Sequence, residues 1–111
     1  MKYANLHLHS TYSDAGFTPK QLVRIGKALG YKALALTDHE TDGGNRALAR
    51  ACASEGIDFM TGVEFCGRVN GSLAHLTAWD FDPDEPTLRA FIKNRCDLKQ
   101  EACRKKFEYG V

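Results

Sequence analysis

The sequence has no apolar run approaching the ~20 residues that cross a bilayer, and Met1-Lys2-Tyr3-Ala4-Asn5 leads into histidines instead of the apolar core of a signal peptide. No membrane partner is expected, and the expected compartment is the cytoplasm. Net charge is also nearly lacking: 15 Lys+Arg against 14 Asp+Glu leave +1. No overall field recruits nucleic acid or an anionic surface, so a charged ligand has to be held by local chemistry. The four cysteines, Cys52, Cys66, Cys96 and Cys103, form no CxxC pair, which argues against a zinc knuckle or a disulfide framework and for reduced packing thiols. There is no linker, low-complexity tract or long-period repeat. What remains is a chain of 111 residues, 43% hydrophobic and 26% charged, the composition of one small globular domain.

Strand and helix signals alternate. Tyr3 to Leu8 reads as a buried strand and His9 to Phe17 as a polar loop. Thr18-Pro19-Lys20-Gln21 combines an N-cap, a proline at the first helical position and a capping-box glutamine, with Leu22, Ile25 and Leu29 as the apolar face and Gly30 as the stop. Lys32 to Thr37 predicts a second strand, and Ala47, Leu48, Ala51 and Cys52 mark a helix ending before Gly56. Asp58 to Val69 is expected as one third strand, returning through an Asn70-Gly71 hairpin turn into Ser72 to Trp79. After a Pro-rich turn, a long helix is expected to about Tyr109. Strands alternating with helices imply a mainly parallel sheet, whose ligands gather at the C-terminal strand ends.

The residues that carry chemistry fall at those ends. His7 and His9 flank Leu8, and residues two apart on a strand share a face and can share a metal. An isolated His-x-His is equally a buried histidine beside a surface one. Here, however, Asp14 lies in the loop just beyond, Asp38 and His39 end the second strand, Glu64 lies in the third and His75 on the return strand. A two-residue turn at Asn70-Gly71 pairs Cys66 with His75, making Glu64 and His75 diagonal neighbours on one face, roughly 7–8 Å apart at Cα. Cys66 is read as a small packing residue in preference to a thiolate ligand. Mixed imidazole and carboxylate donors suit Zn, Mn or Fe. Ser10, Ser13 and Thr37 lack a dedicated base, so a serine nucleophile is not expected.

Asn5-Leu6-His7-Leu8-His9-Ser10, Ser13-Asp14, Leu36-Thr37-Asp38-His39, Gly62-Val63-Glu64 and His75 together resemble, in order, the motifs of the polymerase and histidinol phosphatase (PHP) superfamily. The fold this implies is α/β: the N-terminal half of a distorted seven-stranded (β/α) PHP barrel, with three parallel strands, a hairpin strand and a long C-terminal helix. The resemblance implies a metal-dependent phosphoesterase acting on nucleotide or short-oligonucleotide phosphate through metal-activated water. It carries over a metal on His7 and His9 with Glu64 as the bridging acid, a second on Glu64 and His75, and a third on Asp14 and His39. Asp38 would support and orient a ligand.

Asn5 stands where Asp is usual in the family, and Glu40 where Asp often follows the histidine. A larger departure is that residues 1–111 match only the N-terminal part of the domain, so the later ligands have no counterpart, and six candidates (His7, His9, Asp14, His39, Glu64, His75) must serve up to three divalent ions. An open barrel side is expected to be covered by a complementing C-terminal segment or by a homodimer. The alternative to an enzyme is a catalytically silent metal-binding or assembly module derived from such a domain. In the last helix the basic excess reads as a solvated face, with Arg95, Lys99 and Lys106 as candidates for steering phosphate. Trp79 and Phe81 are expected to pack, with base stacking as the alternative.

Overall fold

The computed structural model describes residues 3–108, with side chains as far as Arg104. Strand β1 (Ala4–Leu8) is followed by helix α1 (Pro19–Leu29), β2 (Ala33–Leu36), α2 (Asn45–Glu55), β3 (Asp58–Met60), β4 (Gly62–Val69), β5 (Ser72–Trp79) and α3 (Pro86–Glu108). The end expected for the last helix, Tyr109, lies outside the described residues, as does the Lys106 side chain.

The helix punctuation acts as read from the sequence. Thr18 accepts from the Gln21 amide and the Gln21 side chain returns to the Thr18 amide, closing the capping box, while Gly30 takes the left-handed conformation at φ 86° that costs a residue without Cβ least. Strands β1, β2 and β3 form a parallel sheet in that order. Val23 of α1, Leu48 and Cys52 of α2, Leu34 and Leu36 of β2, and Ile57 form the main core between helices and sheet.

The expected single strand from Asp58 to Val69 is two strands. The β2–β3 ladder ends at Ala35 and Met60, and Thr61 then leaves the sheet, its carbonyl accepting from the Asp80 amide (3.0 Å) and its hydroxyl donating to the Phe81 carbonyl (2.9 Å). From Gly62 the chain pairs antiparallel with β5 as a separate sheet. The Asn45 side chain, at the start of α2, replaces the missing strand partner by bonding both the amide (2.9 Å) and the carbonyl (3.0 Å) of Gly62. The hairpin register is the expected one, Val69 opposite Ser72 and Cys66 opposite His75, because Asn70 and Gly71 both adopt positive φ (52° and 82°), as a tight hairpin turn with matching twist demands. Val63, Phe65 and Ile92 form a second core under α3, with Phe81 packed against it.

Two features aim the strand ends. β1 carries a register shift between Asn5 and Leu8, and the indole of Trp79 donates to the Leu6 carbonyl at that irregularity (2.6 Å), so Trp79 serves as a strand-to-strand tie. Beyond β2, the buried Asp38 carboxylate gathers the loop that follows β1. It accepts from the Ser10 amide (2.6 Å), the Ser10 hydroxyl (2.6 Å) and the Ser13 hydroxyl (2.5 Å).

Two stability predictions follow from this framework. A Cβ on Gly62 would meet the Leu36 carbonyl oxygen at 2.5 Å, whereas one on Gly67 meets nothing within 4 Å. Gly62→Ala is expected to lose about 1–3 kcal/mol, and Gly67→Ala to stay within about 0.5 kcal/mol of wild type, read from denaturant midpoints. Asp38→Ala, which strands three donors, is expected to cost about 3 kcal/mol, and Asp38→Asn roughly half of that because one carbonyl acceptor remains. Equal losses in the two Asp38 variants would overturn the assignment of the carboxylate as the loop clamp.

Candidate metal centre

Glu64 is the centre of the cluster. Its backbone is held by an isolated parallel bridge to His39, in which the Glu64 amide donates to the Asp38 carbonyl (3.0 Å) and the Glu40 amide donates to the Glu64 carbonyl (2.8 Å). That bridge carries the end of β2 alongside β4 and sets Asp38, His39 and Glu40 against Glu64. The residue is 6% exposed, yet its Oε1 has no hydrogen-bond partner, although His9 Nε2 lies 3.2 Å and His7 Nε2 3.3 Å away. Its other oxygen, Oε2, is 3.0 Å from His75 Nδ1.

A buried anion facing imidazole nitrogens without hydrogen-bond geometry is costly alone, and a shared cation relieves that cost. Tetrahedral ligation at metal–nitrogen and metal–oxygen distances of about 2.0–2.2 Å separates neighbouring donors by roughly 3.4 Å. The spacings of His7 and His9 from Glu64 have that dimension, so the donor set fits a divalent ion.

The structure brings all six sequence-derived candidates into one cluster. Besides His7, His9 and Glu64, the groups His9–Asp14–His39 and His39–Cys66–His75 each place three donor atoms within 4.8 Å of one another. Asp14, exposed on the loop, has Oδ2 3.3 Å from His39 Nε2 and Oδ1 3.7 Å from His9 Nδ1; the latter nitrogen is buried without a partner. The His9 and His39 rings stack with centroids 4.5 Å apart. The Asp38 carboxylate bonds serines, not the histidines. It acts one step further out, on Ser10 and Ser13, the residues directly after His9 and directly before Asp14.

Further contacts behind the cluster, made by Glu40, Arg95 and Cys66, had no sequence signal. Glu40, at φ 62°, accepts from the Cys66 amide (2.6 Å) and from Arg95 Nε (2.7 Å), and Arg95 Nη2 also donates to the Cys66 carbonyl. Burial pushes the Glu40 carboxyl upward, but the Arg95 hydrogen bond, the Cys66 amide and the charges of Arg95 and Lys99 outweigh it and hold it below the ordinary carboxylate range. Arg95 is thereby committed to structure and is not a free phosphate-steering group. Lys99, whose ammonium lies 3.4 Å from the His39 carbonyl, lines a cleft of about 510 Å³ with Tyr12, Ser13 and His39. The Cys66 thiol sits 3.5 Å from His39 Nδ1 and 3.4 Å from His75 Nδ1; burial, with the Glu40 and Glu64 carboxylates, pushes it above its ordinary value. The hairpin register places Cys66 beside His75, but only the His39–Glu64 bridge, invisible to local patterns, adds the second imidazole.

The family model for the PHP domain matches residues 5–100. The chain is 36% identical over 104 residues to a 3',5'-nucleoside bisphosphate phosphatase of Chromobacterium violaceum, covering 94% of this chain and 36% of that protein. It is 34% identical over 100 residues to a 5'-3' exoribonuclease of Haemophilus influenzae, covering 90% and 36%. Among solved structures, an amidohydrolase from Chromobacterium violaceum with bound sulfate and no metal superposes with a TM-score of 0.86 at 35% identity, over 92% of this chain and 36% of that one. A protein from Bifidobacterium adolescentis, described by inference as a metal-dependent phosphoesterase, superposes at 0.78 with 26% identity, over 84% and 32%. The chain thus spans about a third of the length of the relatives it matches. With motifs, strand order and family model agreeing over most of its residues, the chain belongs to the PHP domain family, as an N-terminal portion of that (β/α) barrel.

Proposed function

We propose that this chain is the N-terminal part of a metal-dependent phosphoesterase that hydrolyses nucleotide or short-oligonucleotide phosphate esters. The observation that carries the reading is the unpartnered Glu64 Oε1, buried between His7 and His9. His7, His9 and Glu64 would hold one divalent ion, with Asp14, His39 and His75 as further donors; Zn, Mn and Fe are the metals such donors suit. A bound ion of this class acidifies water and neutralises phosphoryl charge.

The remaining chemistry belongs to the chain. The His39 bridge fixes the Glu64 backbone, and from that position its carboxylate reaches both His7 and His9. Lys99 adds positive charge beside His39 in the open cleft, where a phosphate is drawn towards the cluster. The Ser10 and Ser13 hydroxyls are both donated to Asp38. Neither is paired with a histidine base, which leaves water as the nucleophile. Two relatives support this substrate class, one named for a nucleoside bisphosphate and the other for RNA.

β1 is an edge strand of its sheet, and Leu73 and Leu76 of β5 are exposed. We read the open side as the place where further barrel strands are supplied, by a complementing C-terminal segment or by a second copy in a homodimer. A second reading is a silent metal-binding or assembly module, in which the buried Glu64 and the histidines around it hold an ion for stability without turnover.

The two readings separate in one experiment. On a nucleoside 3',5'-bisphosphate and a short RNA, the enzyme reading expects phosphate release that needs added metal. It also expects Glu64→Gln to lower bound metal and turnover by at least ~100-fold. Turnover that survives a chelator or Glu64→Gln would overturn it, and metal-dependent melting with no turnover, even with the complementing segment added, would leave the module.

A further inference from the structure

The near-zero net charge hides a segregation. Helices α1 and α2 carry Lys20, Arg24, Lys27, Arg46 and Arg50 against Glu55 alone, a local +4 that leaves the rest of the chain at −3. Each helix connects parallel neighbours of the β1–β2–β3 sheet, so both start at the strand ends where the metal ligands lie and run back from them. Between the helices is a groove of about 400 Å³ whose walls include Lys20 and Arg24 of α1 and Ala47, Arg50 and Ala51 of α2, with Glu55 at its far end. There the Lys27 ammonium donates to the Glu55 carbonyl (2.7 Å) and ties the helices together. Lys20, Arg24 and Arg50 are exposed, and among the described residues none of the three has an ion-pair partner. The α3 cations Arg89, Lys93, Arg95 and Arg104, by contrast, are each paired with a carboxylate.

A second cleft, of about 410 Å³, joins this groove to the metal cluster. It shares Lys20 and Ala47 with the groove, and it shares Tyr12 with the Lys99 cleft beside His39. Tyr12 is half exposed, and its amide donates to the Ser10 hydroxyl (3.1 Å). Its ring rests on the Gly43-Gly44 backbone, where a Cβ on Gly44 would meet it at 3.0 Å. A ring backed by protein on one side and open on the other is a platform on which a base can stack. Beyond it, Lys20 and Arg24 stand one helical turn apart, about 6 Å along the axis, the order of one nucleotide step in an extended strand.

We propose that the α1–α2 groove is a track for single-stranded RNA, in which Lys20, Arg24 and Arg50 hold the phosphates of a strand that passes over Tyr12 into the metal cluster. The proposal deepens the phosphoesterase reading and rests on it for the end that enters the cluster. A single nucleotide there engages the Lys99 cleft, whereas only a longer strand continues past Tyr12 to Arg24 and Arg50. The track therefore selects an oligonucleotide. Its cations meet phosphates and its aromatic ring takes any base, so binding is expected to be indifferent to sequence and sensitive to salt. A lipid surface is the poorer fit, because it needs cations on a flat face and these line a groove.

The probe is a fluorescent single-stranded RNA of about 12 nucleotides, its affinity read by anisotropy in the presence of a chelator. Reversing two groove charges together, Arg24→Glu with Arg50→Glu, is expected to weaken binding at least ~10-fold and to lower the slope of log affinity against log salt by about 1.4, two phosphate contacts at about 0.7 each. The same charge change placed outside the groove, Lys32→Glu with Lys93→Glu, is expected to stay within about twofold of wild type. All four side chains are exposed, so both variants are expected to fold. A second measurement needs no variant: RNA carrying 5-iodouridine is expected to crosslink to Tyr12 under ultraviolet light, located by peptide mass. Unchanged affinity in the groove variant, equal weakening in the two variants, or binding to phosphatidylglycerol vesicles in place of RNA would overturn the track. Because binding is read without turnover, a chain that holds RNA through Arg24 and Arg50 yet releases no phosphate would sink the phosphoesterase reading alone. Phosphate release from RNA that is indifferent to both arginines would sink the track alone.

Discussion

The Glu64 carboxylate is the constraint on which the rest depends. A carboxylate taken from water costs several kcal/mol unless charge or hydrogen bonds compensate it. Here one oxygen has no hydrogen bond, and the groups around the carboxylate are four imidazoles from three segments: His7 and His9 at the end of β1, His39 after β2 and, at the other oxygen, His75 on β5. Neutral imidazoles present lone pairs to that oxygen as readily as they present protons. A metal cation held among them compensates the buried carboxylate more strongly than neutral N–H donors can. The convergence is therefore an electrostatic problem that the chain poses and a cation answers, and each clamp around it keeps the donors from relaxing apart.

Two such clamps lie outside the ligands. Asp38 uses both oxygens to fix the loop between His9 and Asp14, and Arg95 of α3 bonds Glu40 and through it Cys66. A charged pair such as Arg95–Glu40 is expensive to half-remove, because the partner left behind is buried. The long helix thus does more than cover the second core: it carries the cation that holds the left-handed Glu40 and the backbone of Cys66. Sites carried on loops gain rigid geometry when their supports are themselves locked by hydrogen bonds.

Much of this was legible from the sequence where the determining physics is local. The capping box at Thr18 and Gln21, the helix stop at Gly30 and the Asn70-Gly71 turn each specify backbone angles within a few residues, and the hairpin turn fixed the Cys66–His75 pairing. The grouping of histidines at strand ends followed from the alternation of strands and helices. The break at Thr61 was not legible. A β-prone run reads the same whether or not it changes sheets, and the departure is decided by bonds from Thr61 to Asp80 and Phe81 and from Gly62 to Asn45. Arg95 looked like a solvated base because its partner lies 55 residues away in the chain. Cys66 looked like a packing residue because its second imidazole arrives through a bridge with no local pattern.

The donor geometry also limits how many ions these residues can serve. A neutral imidazole offers one lone pair, so His9 and His39, each facing two neighbours, can ligate in only one direction apiece. His9 turns Nε2 to Glu64 and Nδ1 towards Asp14; His39 turns Nδ1 towards Cys66 and Nε2 to Asp14. If both use the inward nitrogen, the outward ones carry protons, and Asp14 is placed to accept from the two rings at once. The sequence resemblance would instead give Asp14 and His39 an ion of their own. That ion would take His39 away from Cys66 and His75, and its remaining donors would have to come from elsewhere in the barrel.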